Sequence, residues 1–273
     1  MRLDLLLVER GLAESRSLAQ RLVMAGQVRV NGEVELKPST NFAPDASLEI
    51  EHKAPFVSRG GEKLQAALDT FPILVAERVC ADLGASTGGF TDCLLQHGAQ
   101  RVYAIDVGKG ILHWKLRQDP RVIVLEGLNA RHIEQLPEPI SLATIDASFI
   151  SLKILLPVVY NWFPADKLQT SSSPPASVDL IALIKPQFEA GRSEAAHGQG
   201  VIRDPEIHRR VLSEVLIFAA QLGYQIRGLI RSPILGPKGN VEFLAWLSLP
   251  PIAAHQPIAD ALDDLIAPLF VSK

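Results

Sequence analysis

The stretch DLGASTGGF sets a carboxylate, Asp82, two positions before Gly84 and follows it with the pair Gly88-Gly89. A buried-strand pattern, Val-Cys-Ala-Asp-Leu, leads into Gly84, and Thr91 opens a helical one. The turn therefore lies at the carboxyl end of a strand and faces a helix N-terminus, where open α/β sheets take their ligands. A dinucleotide fingerprint needs G-x-G-x-x-G so that backbone can approach a pyrophosphate. Here the spacing is Gly84-x-x-x-Gly88-Gly89, and Asp82 would repel a pyrophosphate while accepting hydrogen bonds from an ammonium. Asp106, at the end of the next strand, is placed to hold a ribose diol. A ligand without phosphate, with an amino-acid moiety by the glycines and a ribose at the second strand, matches S-adenosylmethionine. Ser86 and Thr87 would then meet its carboxylate, and Asn129, after the third strand, its adenine. The competing account is structural: Asp82 caps the turn, the glycines permit tight packing, and Asn129 is an ordinary loop residue.

The elements that must hold such a turn follow from the apolar patterning. Strands are expected at Val79–Asp82, Arg101–Asp106, Val122–Leu125, Leu142–Ile145, Leu180–Ile184, Gln225–Arg231 and Glu242–Ser248. Helices are expected over Glu62–Leu68, from Thr91 through Leu95, after Ser151 and from Pro205. Alternation of this kind implies a mostly parallel sheet with helices on both faces. LQTSSSPPAS, within Asp166–Ser177, has the composition of a surface loop, and the polar segment Gly191–Asp204 that of a mobile flap.

The first fifty residues form a unit of their own. Arg2–Arg10 is a short leucine-rich helix closed by Gly11; Ser15 caps a second helix running to Ala25, with Gly26 as its stop. Leu18, Ala19, Leu22, Val23 and Ala25 share one face of that helix, and Arg16, Ser17, Gln20 and Arg21 the other. Val28 and Val30 alternate with Arg29, Asn31-Gly32 signals a hairpin turn, and Val34 and Leu36 continue the alternation. A last short strand is expected around Ser47–Ile50. Arg10, Arg16, Arg21 and Arg29 make this segment locally basic, which is either a solvated face or a nucleic-acid contact.

The 273 residues, 47% of them hydrophobic, suffice for one large core and a small accessory domain. A net charge of −3 offers no global attraction for nucleic acid, so any such contact must be local. No apolar run approaches the roughly 20 residues needed to cross a bilayer, and no export signal opens the chain; a cytoplasmic protein with no membrane partner is expected. Cys80 and Cys93 lack metal-ligand company, so neither a disulfide nor a metal site is expected.

RSLAQRLVMAGQVRVNGEVELKP resembles the RNA-binding domain of the ribosomal-protein-S-four type, in which two helices and a hairpin present basic residues to structured RNA. SRGGEKL, DLGASTGGFTDCLL, AIDVGKGILHWKLR, IDASFISL, LIKPQFE and GNVEFLAW, in that order, resemble the TlyA family of ribosomal RNA methyltransferases, whose catalytic domain is FtsJ-like. The resemblance implies an S-adenosylmethionine-dependent methyltransferase fold of the Rossmann-like kind over 62–250, an RNA-binding domain over 1–52, a linker over 53–61 and an extension over 251–273. It also implies ribosomal RNA or a ribosomal subunit as partner, with cytidine as the target. The FtsJ-like tetrad, Lys-Asp-Lys-Glu, falls by motif position on Lys63, Asp146, Lys185 and Glu242.

A ribose hydroxyl is a poor nucleophile, so its proton must be removed or polarised while oxygen, methyl carbon and sulfur are aligned. Lys185 is the candidate that contacts the hydroxyl, either as a base made possible by desolvation and Lys63, or as a cation stabilising the oxyanion. Asp146 and Glu242 would orient the lysines. No metal is required, since the sulfonium already provides the leaving group. Arg59, Lys109, Lys115 and Arg117 are candidates for phosphate contacts, and Glu51–Val57 could couple RNA docking to cofactor binding. Three other functions compete: a pore-forming haemolysin, as the family's naming suggests, a non-catalytic ribosome-binding factor, and a nicotinamide dehydrogenase. The first lacks any membrane-spanning or export segment, the second requires a damaged tetrad or turn, and the third the other glycine spacing.

Overall fold

In a computed structural model that describes residues 1–24, 26–50, 54–163, 178–191, 194, 198–249 and 259–270, the chain divides into two units, Met1–Pro55 and Phe56–Lys273. Ala25, Glu51–Lys53, the surface loop expected over Asp166–Ser177, part of the Gly191–Asp204 flap and the ends of the C-terminal extension lie outside the described residues.

In the first unit, α1 (Leu3–Glu9) and α2 (Arg16–Met24) pack on a small antiparallel sheet of order β2-β1-β3, with β1 at Val28–Val30, β2 at Glu33–Val34 and β3 at Leu48–Ile50. Leu3, Leu7, Ala19, Val23, Val28 and Val30 form its buried centre. Ser15 Oγ accepts the Leu18 N–H at 3.2 Å, as a helix cap does. Asn31 and Gly32 both take positive φ, 50° and 87°, the pairing that a two-residue hairpin turn demands. The return strand departs from expectation. It is two residues long, and Val34 and Leu36 are exposed, because β2 is the sheet edge and β1 with β3 already covers the core.

A buried carboxylate organises this unit's arginines. Asp4 has no exposed surface and accepts from Arg2 Nε and Nη2, Arg16 Nε and Gln20 Nε2 at 2.7–3.0 Å. Arg10 meanwhile donates to the carbonyls of Ala46, at 2.8 Å, and Pro44. Two of the four arginines expected to face RNA, Arg10 and Arg16, thus hold the unit together with part of their donor capacity. Arg21 reaches Ser17 at 3.4 Å and Arg29 the carbonyl of Gly32 at 3.1 Å, both on exposed surface.

The second unit is built on a seven-stranded sheet of order β6-β5-β4-β7-β8-β10-β9. Its strands are β4 (Val79–Leu83), β5 (Arg101–Asp106), β6 (Val122–Glu126), β7 (Leu142–Ile145), β8 (Val178–Ile184), β9 (Gln225–Arg231) and β10 (Phe243–Leu249). The first five are parallel, and β10 runs antiparallel to both β8 and β9. Alternate residues feed two cores. One face carries α3 (Gly60–Thr70), α4 (Gly89–Gln96) and α5 (Trp114–Gln118). The other carries α6 (Leu152–Trp162), α8 (Pro205–Gln221) and α9 (Ala259–Ile266), with the four-residue α7 (Pro186–Glu189) between. Leu262 and Ile266 of α9 belong to that second core, so the C-terminal extension contributes to it.

Asp82, in β4, is wholly buried and accepts from Thr91 Oγ1 of α4 at 2.7 Å and Thr144 Oγ1 of β7 at 2.9 Å. Burial pushes its carboxyl up to about 6, against the pull of the two hydroxyls. Asp4 goes the other way, since the Arg2 guanidinium above all, then Gln20 and Arg16, hold its carboxyl well below the usual range. Acid should therefore act on these two buried carboxylates in opposite directions. Asp82 binds its proton more tightly folded than unfolded, so its contribution stabilises the fold increasingly as pH falls from about 6 towards 4, by about 3 kcal/mol. The contribution of Asp4 is complete above about pH 4 and is lost below it. Hydrogen exchange on the intact chain between about pH 6 and pH 3 should show residues 1–50 losing protection first. Asp4→Asn should bring that loss to neutral pH, and Asp82→Asn should remove the stabilising part of the acid response from the second unit alone; equal loss in both units would refute the assignment.

Candidate active site

The sheet reverses its strand order between β4 and β7, and there the carboxyl ends of the two strands open a crevice. The glycine turn sits in it. Gly84 has φ +81°, and a Cβ on it would lie 2.6 Å from the carbonyl oxygen of Asp146, at the end of β7. A Cβ on Gly88, φ +99°, would lie 2.1 Å from Leu116 Cδ1; one on Gly89 would lie 2.5 Å from Ser58 Oγ and 2.7 Å from the Gly61 nitrogen. Each glycine thus has a packing reason: the first joins β4 to β7, the second seats α5, the third lets α4 start against α3. The structural account offered by the sequence holds for the three glycines, and their tight packing shapes the crevice.

A cavity of ≈ 530 Å³ lies along the turn. Gly84, Ser86, Thr87 and Gly89 line it, as do Arg59 and all four tetrad residues, Lys63, Asp146, Lys185 and Glu242. Asp82, Gly88, Asp106 and Asn129 do not. The Asp82 carboxylate, expected to face an ammonium, is turned inward, where the Thr91 and Thr144 hydroxyls hold it. Asp106 stands behind the turn and accepts the Ser86 and Gly108 N–H groups at 2.8 and 2.7 Å. Asn129 caps the short helix Ala130–His132 by accepting the Arg131 N–H at 3.1 Å.

Four elements deliver the tetrad. Lys63 rides on the first turn of α3; Asp146 follows β7; Lys185 follows β8, where Pro186 starts α7; Glu242 precedes β10. The pairing of Phe243 with Ile184 puts Glu242 and Lys185 side by side at the end of the sheet. The four side chains form two ion pairs. Lys63 Nζ lies 2.6 Å from Glu242 Oε2, with 8% and 1% of the side chains exposed, and Lys185 Nζ lies 2.5 Å from Asp146 Oδ1, with 8% and 20% exposed. Lys185 Nζ also donates to Ser148 Oγ at 3.0 Å. Glu242 Oε1 accepts from Gln187 Nε2 at 3.3 Å and is crowded by Gly236, where a Cβ would come within 2.5 Å. The other amide atom, Gln187 Oε1, is a buried acceptor without a partner beside the cavity.

Several cleft residues had no sequence signal. Phe149 is 91% exposed, lines the cavity at φ +64°, and lies 4.9 Å from the Phe188 ring. A bulky residue held exposed in left-handed backbone is uncommon, and such strain gathers at functional sites. Asn240 pins the described base of the flap, accepting the Ile202 N–H at 2.9 Å and donating to the Gly200 carbonyl at 2.8 Å. Of the cations considered for phosphate, Arg117 is committed to Glu126, at 2.5 Å to each oxygen. Its guanidinium, with the Leu112 and Gly110 amides, brings the Glu126 carboxyl down to about 2. Lys115 lies 5.9 Å over the Trp114 ring, and Lys109 is exposed. Among the described residues no cluster of His, Cys, Asp and Glu could hold a metal, and no helix is long and apolar enough to cross a membrane.

The FtsJ-like methyltransferase family matches residues 56–249, and the S4 domain matches residues 1–46. The Mycobacterium tuberculosis protein named 16S/23S rRNA (cytidine-2'-O)-methyltransferase TlyA is 43% identical over 90% of this chain and 89% of its own length. Hemolysin A of Brachyspira hyodysenteriae is 40% identical over 90% of this chain and 98% of its own. A solved Streptococcus thermophilus structure that carries the hemolysin label superposes with a TM-score of 0.71 at 41% identity, covering 98% of this chain and 95% of that one. By fold, motif order and relatives alike, the chain belongs to the TlyA family of FtsJ-like methyltransferases that carry an N-terminal S4 domain.

Proposed function

We propose that the chain methylates the ribose 2′-hydroxyl of a cytidine in ribosomal RNA, in the cytoplasm, with Lys63, Asp146, Lys185 and Glu242 as its catalytic set. The observation that carries this reading is the convergence of two lysine–carboxylate pairs on one cavity beside the glycine turn. The name of the 43% identical mycobacterial relative supports the substrate. S-adenosylmethionine, the donor expected of the family, supplies a methyl group already activated on a sulfonium. The cavity fits such a ligand: it is bounded by carboxylates and turn backbone, and it has an unpartnered acceptor, Gln187 Oε1, at its edge. Ser86, Thr87 and the turn backbone would hold the cofactor, and Asp106 is one strand away.

The side chains have separable tasks. A lysine ammonium has three hydrogens. Asp146 Oδ1 and Ser148 Oγ engage two of those on Lys185 at 2.5 and 3.0 Å, and the third meets only the Asp146 carbonyl at 3.5 Å, a long contact that the ribose oxygen would displace. Lys185 acts there as a preorganised donor that stabilises the charge developing on the ribose oxygen as the hydroxyl proton passes to solvent water. Of the two roles open at the sequence level, the ion pair with Asp146 favours this one. Lys63 and Glu242, fixed by Gln187 and Gly236, form the second side of the floor and hold the attacking oxygen in line. Phe149 offers its ring as a platform for the target base, and Arg59, at the cavity edge, contacts a flanking phosphate. The S4 domain docks on structured RNA through Arg21 and Arg29 and the exposed parts of Arg16 and Arg10.

Methyl transfer from labelled cofactor to small subunits, large subunits and naked RNA tests the reading directly. Lys185→Ala should lower kcat by about 10²–10³-fold while leaving cofactor affinity within about twofold. Equal labelling by wild type and mutant would remove Lys185 from catalysis; no labelling of any RNA by folded, cofactor-binding protein would overturn the function. Phe149→Ala should raise KM for RNA by about tenfold, the worth of one stacked base, without lowering thermal stability. An unchanged KM would dismiss the platform.

A further inference from the structure

Two segments form one wall of the cleft. One, Asp146–Leu152, leaves β7 and enters α6; the other, Lys185–Glu189, leaves β8 and forms α7. Three contacts tie them together in sequence, like rungs. Lys185 meets Asp146 and Ser148, the Phe188 ring meets the Phe149 ring, and Glu189 meets Ser151 and Leu152. In the last rung Glu189 Oε2 accepts the Ser151 hydroxyl at 2.6 Å and Oε1 accepts the Leu152 N–H at 2.7 Å. Ser151 is itself the cap of α6, accepting the Lys153 N–H at 3.1 Å, so Glu189 adds an anion where that helix leaves amides unpaired.

We infer that Glu189 is a positioning residue for methyl transfer: its carboxylate fixes the register of the Asp146–Ser151 loop against Lys185 and thereby holds Phe149 in its exposed, left-handed conformation. The chemistry of the rungs assigns the work. The ring contact is tilted and has no directional bond to set register, and the first rung belongs to the reacting groups. Glu189 alone grips the far end of the loop by two bonds from one side chain, and it does so from α7, four residues after Lys185. Strain at Phe149 persists only where its surroundings over-determine it, and the two outer rungs supply that determination. Glu189 is absent from the cavity lining, so it works through the loop and not on the ribose.

The inference rests on Lys185 and Phe149 facing substrate, and the test separates the two ideas. RNA kinetics, cofactor affinity by calorimetry and thermal melting are measured for Glu189→Ala, Ser151→Ala, Glu189→Gln, Phe149→Ala and the double variant E189A/F149A. Glu189→Ala and Ser151→Ala, which break the rung from opposite sides, should each raise KM for RNA about tenfold with cofactor affinity unchanged. Glu189→Gln can accept from Leu152 and donate to Ser151, so it should stay within about threefold of wild type. The double variant should be no worse than the worse single one. Wild-type RNA kinetics in both Glu189→Ala and Ser151→Ala, a parallel loss of cofactor affinity, or multiplied losses in the double variant would each overturn the role of Glu189. An impaired Glu189→Ala beside an inert Phe149→Ala would overturn the base platform and with it the part of the role of Glu189 that runs through Phe149, leaving only its hold on the loop against Lys185.

Discussion

Two strand ends lie within backbone contact of each other where the sheet changes direction. No side chain can stand at Gly84, because the Asp146 carbonyl occupies the place of its Cβ. That approach sets where the loop after β7 begins, and with it Asp146, Ser148 and Phe149. The same junction is braced from inside by Asp82, which joins β4 to β7 through Thr144 and to α4 through Thr91. A buried carboxylate held by two hydroxyls and the Thr91 backbone N–H is incompletely compensated for its lost hydration, and its raised proton affinity records the deficit. The junction accepts that penalty for a crevice of defined shape.

The two ion pairs are poor candidates for stabilising the fold. Desolvating a lysine and a carboxylate offsets most of their attraction, and apolar pairs of similar volume would serve stability as well or better. Removing one partner is harsher, since it leaves a buried charge without its counterion. Their value lies in geometry. Glu242 is held by Lys63 and by Gln187, in space that a side chain at Gly236 would close. Lys185 is held by partners that both come from the loop after β7.

What could be read in the chain without coordinates was whatever local periodicity and turn chemistry encode. The bounds of β5, β7 and β9 coincide with those expected, as do the Ser15 cap and the Asn31-Gly32 turn, because each depends on a few consecutive residues. The four tetrad positions were reached by motif order, and the structure sets Lys185 beside Glu242 through β-strand register and brings Lys63 in on α3, which motif order does not state. Misplaced features depend on distant partners. Spacing alone puts Asp82 at a strand end, but its direction follows from hydroxyls nine and 62 residues away. Arg16 read as one cation of a polar helix face until Asp4, twelve residues earlier, drew it in. Nothing local marks Phe149 for positive φ, since the turn that imposes it is closed by residues on α7.

The pairing of each lysine with a carboxylate has an electrostatic consequence for how a polyanion is handled. Two cations and two anions sum to no net charge, so the floor of the cleft presents alternating local dipoles to an approaching strand. Long-range attraction must come from elsewhere on the surface, and ionic strength should then modulate capture of the RNA far more than the reaction of RNA already seated. Release would benefit too: on the proposed reading the four tetrad groups contribute little to retaining the modified strand, so grip and turnover would be assigned to different parts of the molecule.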